Sequence, residues 1–156
     1  MKKIIKILFI IIFILYIIYQ LSGILLQKIT YAASNSNSES DVQLIARAIN
    51  GEARGESYEG QVAVGAVILN RVKNPDFPNT IAGVIYQPGA FTAVSDGQIN
   101  VPIDENSTVV KAARDALNGW DPTNGCIYYF NPNTATSDWI WSRTIVTTIG
   151  KHHFCK

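Results

Sequence analysis

Histidine and cysteine are scarce in this 156-residue chain, with two of each. A zinc amidase or peptidase takes about three protein ligands from His, Asp, Glu or Cys. The only histidines are the adjacent His152 and His153, and neighbours on a strand point to opposite faces; a metal site is therefore not expected. Also missing are a glycine-rich phosphate loop and a serine nucleophile elbow. A Cys-His peptidase built from Cys126 or Cys155 with His152 has no motif behind it. Acidic residues are absent before position 34: all 12 come later, while four of the 13 basic residues, Lys2, Lys3, Lys6 and Lys28, come earlier. The remainder holds nine basic residues against 12 acidic, a net charge of −3. That balance argues against a nucleic-acid binder, which needs Lys and Arg in excess on one face. No cofactor is called for.

What the first 33 residues do contain is a basic start and an apolar run from Ile7 to Tyr19, extended by Leu21 and by Ile24 to Leu26. A short apolar core behind a basic flank reads as an export signal. Residues 7–26, broken only by Gln20, Ser22 and Gly23, are also long enough to span a bilayer. Thr30 and Ala32 are the small residues wanted for cleavage after Ala32, whereas Tyr31 makes a cut after Ala33 a poorer fit. As signal peptide or as membrane anchor, residues 1–33 send the rest of the chain out of the cytoplasm. Residues 34–40 lack apolar side chains and read as a flexible tether, which leaves 41–156 as one small domain. Cys126 and Cys155 lie in the exported part, where oxidation is permitted. Paired, they would close a loop of about 30 residues and add roughly 3 kcal/mol on the chain-entropy model; two buried reduced thiols are the alternative.

Asp41 is the expected N-cap of a helix through Ile49, with Val42, Ile45 and Ile49 on one face and Arg47, Asn50 and Arg54 on the other. The same rotation carries Glu52 and Glu56 into the apolar stripe. Ser57 caps a second helix, Tyr58 to Lys73, whose run Val62 to Leu69 is apolar nearly all round and so belongs in the core; Asn74-Pro75 ends it. Thr80 caps a short helix ended by Pro88-Gly89. Ala90 to Val94 reads as extended, followed by the turn Ser95-Asp96-Gly97. Another helix starts near Asn106 or Ser107 and ends at Gly119. Cys126 to Phe130, Thr144 to Thr148 and His152 to Phe154 read as strands, and Trp139 and Trp141 are placed on extended chain as well. Helices first and strands later predict an α+β domain.

Carboxylate chemistry is what the inventory leaves. Glu52 is flanked by Gly51 and Ala53, small enough to leave room for a ligand. An acid on an apolar helix face loses hydration, which favours its protonated form and suits a general acid. If the helix stops at Gly51, Glu52 is instead a solvated loop acid.

Gly51-Glu52-Ala53-Arg54-Gly55-Glu56, then Gly60 to Val64 and Asn70-Arg71-Val72, resemble the signature of the SleB and CwlJ type cell-wall hydrolases, the spore cortex-lytic family. Phe91 to Ile99, Asp121 to Gly125, the Tyr-Phe-Asn-Pro ending at Pro132 and the closing Ile149 to Phe154 extend the resemblance over nearly all of 41–156. It implies a core similar to lysozymes and lytic transglycosylases and cleavage of peptidoglycan glycan strands, in spore cortex during germination or in vegetative wall. It also implies action at the cell wall, the spore cortex or the surface of the inner spore membrane, and Glu52 as the catalytic acid. SleB-type enzymes carry a peptidoglycan-binding domain after the signal, where this sequence has about seven tether residues; CwlJ-type enzymes typically lack an export signal.

Glycoside hydrolysis ordinarily takes two carboxyls. A lytic transglycosylase needs one, because the sugar's own 6-hydroxyl attacks and leaves a 1,6-anhydro end; the resemblance favours that route. Glu56 is the nearest second carboxyl, with an ion pair to a nearby Arg or a cap on the following helix as its structural alternative. Asp96 is a substrate-contact candidate, although Asp-Gly is also a common turn. Tyr129 and Trp139 suit stacking on sugar faces, and Asn131 suits an N-acetyl group; burial in the core is the other use for such rings. Phe91 and Gln98 fit a cleft edge by analogy. A silent glycan-binding module and a membrane-anchored envelope assembly protein are the rival readings.

Overall fold

The computed structural model describes residues 2–156; Met1 and the side chains of residues 2–9 and 33–37 lie outside the described residues, and with them the basic start and most tether side chains. The chain divides into two compact units, Met1–Glu39 and Ser40–Lys156, the second beginning one residue before the expected domain. Helix α1 is Lys2–Ala53. In the first unit its stretch Ile10–Ala32, 23 residues, is long and apolar enough to cross a membrane, since about 20 residues cover a hydrocarbon core of about 30 Å. Residues 34–40, expected as a flexible tether, carry helical backbone, and Asp41 is an interior helical residue rather than an N-cap. Serine and asparagine are weak helix formers, but neither Pro nor Gly interrupts the run.

In the second unit, Val42, Ile45, Ala46, Ala48, Ile49 and Ala53 of α1 are buried. Helix α2 (Tyr58–Lys73) starts where Ser57 accepts the Gly60 N–H at 3.2 Å and stops at Asn74. Every residue from Gly60 to Ile68 is buried, as its all-round apolar pattern requires. Gly65 sits at the crowded centre: a Cβ there would lie 3.0 Å from Ala116 Cβ and 3.2 Å from Ile49 Cδ1. Helix α3 (Ile81–Ile85) is capped by Thr80. Helix α4 (Thr92–Ser95) and a 3-10 turn, Gln98–Asn100, follow. Helix α5 (Thr108–Leu117) is capped by Ser107, which accepts the Val110 N–H.

Strand β1 (Tyr128–Phe130), helix α6 (Asp138–Trp141), β2 (Ile145–Ile149) and β3 (His152–Cys155) complete the unit. The sheet is antiparallel in the order β1-β3-β2 and pairs Tyr129 with Phe154 and Ile149 with His152. The β2–β3 turn needs Gly150, whose φ is +58°. Fold class is as expected: α+β, helices first and a small sheet last.

Two further local expectations fail. The segment 90–94 is not extended: Val94 N–H bonds to Phe91 O and Asp96 N–H to Thr92 O, which makes a single helical turn. Trp139 and Trp141 lie on α6 rather than on a strand, because the turn buries Ile140 between them and leaves both indoles half exposed. Cys126 and Cys155 are both buried and both free.

Candidate active site

Glu52 stands in the last turn of α1, and its position depends on the missing side chain next to it. A Cβ on Gly51 would lie 2.4 Å from Ala93 Cβ, so only glycine lets α4 pack this close. Ala93 is the second residue of α4, and a helix's first N–H groups have no partner within the helix. Its N–H donates to Glu52 Oε1 at 2.9 Å. From the other side, the Tyr129 hydroxyl of β1 donates to Oε2 at 3.3 Å. Burial, then the Glu52 charge and this hydrogen bond, push the Tyr129 hydroxyl well above its usual range; it remains a donor.

His152 holds the Tyr129 ring edge-on at 5.3 Å, and Phe154 packs at 5.9 Å. Burial lowers the His152 imidazole below its ordinary value despite the charges of Glu56 and Glu52, which keeps the ring neutral. Asn70 and Arg71, near the end of α2, fix the approach to β1. The Asn70 amide donates to Asp121 Oδ2 at 2.9 Å and to Cys126 O at 3.1 Å, and Arg71 Nε donates to Ile127 O at 2.7 Å. Burial raises the Asp121 carboxyl, but hydrogen bonds from Thr123, Asn70 and Gly125 outweigh it and hold it below the usual carboxylate range. The Asn-Arg-Val and Asp-Pro-Thr-Asn-Gly blocks thus meet in one bracket that delivers Tyr129 to Glu52.

Other candidates divide by position. Glu56 Oε2 accepts the Lys151 N–H at 3.0 Å, Oε1 lies 4.0 Å from Lys151 Nζ, and the carboxylate occupies the space a Cβ on Gly150 would need. It clamps the β2–β3 turn, with a lysine as its charged partner in place of the expected arginine or helix cap. Asp96 accepts the backbone and side-chain N–H groups of Gln98 at 3.0 Å each, and Gln98 in turn accepts from Arg54. This polar chain borders Gly51, whose Cβ would lie 3.7 Å from that of Gln98. Phe91 is buried under the Arg71 guanidinium, so it belongs to the core rather than to a cleft edge. Asn131 Oδ1 accepts the Asn133 N–H in a tight turn.

A groove of 650 Å³ is lined by Arg71, Tyr128, Tyr129, Thr92 and Trp139, among others. Tyr129 and Thr92 connect it to Glu52, one through its hydroxyl and the other through the adjoining Ala93. The half-exposed Trp139 packs edge-on to Tyr128 at 5.3 Å, presenting an aromatic wall of the kind that stacks on sugar rings. Arg71 is the feature that sequence reasoning missed. The usable signal was a cation in the last turn of a helix otherwise apolar on every side. Burial, foremost, pushes the Cys126 and Cys155 thiols up, opposite to what a nucleophilic cysteine needs. Among the described residues no cluster of His, Cys, Asp and Glu suits a metal.

Comparison with known proteins supplies relatives. Residues 55–155 match the family described as Cell Wall Hydrolase, a match that begins just after Glu52. A spore cortex-lytic enzyme of Bacillus cereus is 61% identical over 122 residues, covering 78% of this chain and 46% of the relative. The chain therefore spans about half the length of that relative. The cell wall hydrolase CwlJ of Bacillus subtilis is 32% identical over 124 residues, 75% of this chain and 85% of the relative. Among solved structures, the catalytic domain of the germination-specific lytic transglycosylase SleB from Bacillus anthracis superposes with a TM-score of 0.71 at 61% identity. It covers 74% of this chain and 93% of that one, so the second unit has the lysozyme-like fold of that domain.

Proposed function

The chain belongs to the cell wall hydrolase family, and on that premise we propose that it cleaves the glycan strand of peptidoglycan as a lytic transglycosylase with Glu52 as its one acid-base group. The observation that carries the reading is the seat of Glu52. Both carboxyl oxygens are oriented, by the Ala93 N–H and the Tyr129 hydroxyl, and Tyr129 also lines the aromatic groove. The neighbouring acids are engaged elsewhere, Glu56 with the β2–β3 turn and Asp96 with Gln98. A site with one carboxyl joined to the groove, through Tyr129, suits a route in which the substrate supplies its own nucleophile.

Glu52 donates its proton to the glycosidic oxygen as that bond breaks. The resulting carboxylate takes the proton of the muramyl 6-hydroxyl, which closes on the anomeric carbon to give a 1,6-anhydro end. Tyr129 and Ala93 hold the carboxyl through both steps, and a positioned acid-base group contributes about 10²–10⁴-fold.

The relatives' names point to spore cortex and germination, and the proposed substrate is that cortex or the vegetative wall. In the proposed layout residues 1–33 export or anchor the chain, 34–40 form the tether, and 41–156 carry the chemistry outside the cytoplasm. Release of soluble glycan from purified peptidoglycan tests the enzyme claim. The wild type solubilises the wall and Glu52→Gln does not; a fully active Glu52→Gln contradicts the assignment.

A further inference from the structure

We propose that Arg71 forms a carboxylate-receiving subsite in the groove, taking an acid group borne by the muramyl lactyl arm or stem peptide of the substrate; this rests on the peptidoglycan reading above. Arg71 is only 8% exposed, yet it is a permanent cation. Its guanidinium carbon lies 5.4 Å from the ring centres of Phe77 and Phe91 and 5.7 Å from that of Tyr128. Its one described hydrogen bond runs from Nε to Ile127 O. The described ion pairs join Lys151 to Glu56 and Glu105 to a different arginine, not to Arg71.

A buried charge is costly unless it is paired. Ring faces, a single carbonyl and the charge of Glu52, which is not paired with it, offset that cost only in part, so the guanidinium keeps room for a directly bonded anion from outside the chain. With Nε committed, the two Nη groups remain as donors, and Arg71 lines the groove. The three rings hold the guanidinium plane, and a fixed planar fork matches the two oxygens of a carboxylate. Charge points the same way. The region after residue 33 carries net −3 and draws no anionic polymer by its overall field, so attraction has to be local.

The test measures cleavage kinetics on native glycan strands and on strands whose carboxyls have been converted to methylamides, for wild type, Arg71→Lys and Arg71→Gln, with thermal melts as the folding control. Wild type should lose about tenfold or more in kcat/KM on the amidated strands, mainly through KM, because a hydrogen bond to a charged group is at stake. Arg71→Gln should show a similar loss on native strands and be indifferent to amidation, with Arg71→Lys between them. Stripping the stems with an amidase hydrolyses the lactyl–stem amide and exposes a lactyl carboxylate on each stripped unit: stripped strands cleaved as well as native ones, and less well once methylamidated, identify the lactyl carboxylate, whereas stripped strands cleaved as poorly as amidated native ones identify the stem. Wild type that cleaves native and amidated strands equally overturns the subsite alone, as does an Arg71→Gln that falls below wild type by the same factor on amidated strands as on native ones. Wild type that leaves native strands intact overturns the peptidoglycan reading and the subsite with it. Should Arg71→Gln fail to fold, the wild-type and Arg71→Lys comparisons decide.

Discussion

Replacing Gly51 by alanine puts a Cβ 2.4 Å from the Cβ of Ala93 and 3.3 Å from its Cα, where carbon atoms ordinarily approach to about 3.5–4.0 Å. Both neighbours belong to the short helix that donates to Glu52, so α4 must retreat by about 1 Å to reach ordinary contact. The Ala93 N–H bond to Oε1, 2.9 Å in the native chain, then stretches beyond hydrogen-bond range. Losing about 1 Å of placement at a reacting group costs on the order of 100-fold in rate. Overpacking costs about 1–3 kcal/mol, and the better helix propensity of alanine returns up to about 1 kcal/mol of it. Gly51→Ala is thus expected to melt only a few degrees lower, yet to lose most of its kcat in a peptidoglycan turbidity assay. Adding Ala93→Gly removes the colliding methyl and should restore much of the rate. Wild-type kcat in Gly51→Ala, or a loss that Ala93→Gly leaves untouched, would refute the packing argument.

Three other outcomes are expected. Glu56→Ala removes the acceptor for the Lys151 N–H and should destabilise by about 1–3 kcal/mol in urea unfolding while kcat stays within a few-fold of wild type. Tyr129→Phe deletes the hydroxyl on Oε2 and should lower kcat by about tenfold at unchanged fold, read by turbidity and circular dichroism. His152 is held neutral below its ordinary value of 6.5, so the unfolded chain takes up its proton at higher pH than the folded one does. Its contribution is complete above pH 6.5 and is lost as pH falls below that toward the folded value; denaturant unfolding from pH 8 to 5 should show the decline, and His152→Gln should flatten it.

Helix α2 was legible in the sequence because three signals agreed: the Ser57 cap, an apolar run with no polar side, and the Asn74-Pro75 stop. The four-residue helices α4 and α6 were not. In 90–94 the β-branched Thr92 and Val94 suggest strand, but the turn forms because Ala93 packs against Gly51, a contact 42 residues away in sequence. Trp139 and Trp141 alternate as on a strand, and burial of Ile140 decides for helix instead. Glu52 was legible as a candidate because small flanking residues and the helical rotation singled it out and the Gly-Glu-Ala-Arg-Gly-Glu resemblance favoured it. Its partners were not, since the Ala93 N–H carries no side-chain signature and Tyr129 arrives from β1 only through the Asn70–Asp121 and Arg71–Ile127 hydrogen bonds.

The account rests on Glu52 acting alone, and the masses of the soluble products test that most directly. Digestion of purified peptidoglycan by the wild type should yield fragments with 1,6-anhydro-muramic ends, lighter by one water than the reducing equivalents, and none should appear with Glu52→Gln. Reducing muramic ends from the wild type would contradict the single-carboxyl route, because water would then be the nucleophile and a second group would have to activate it.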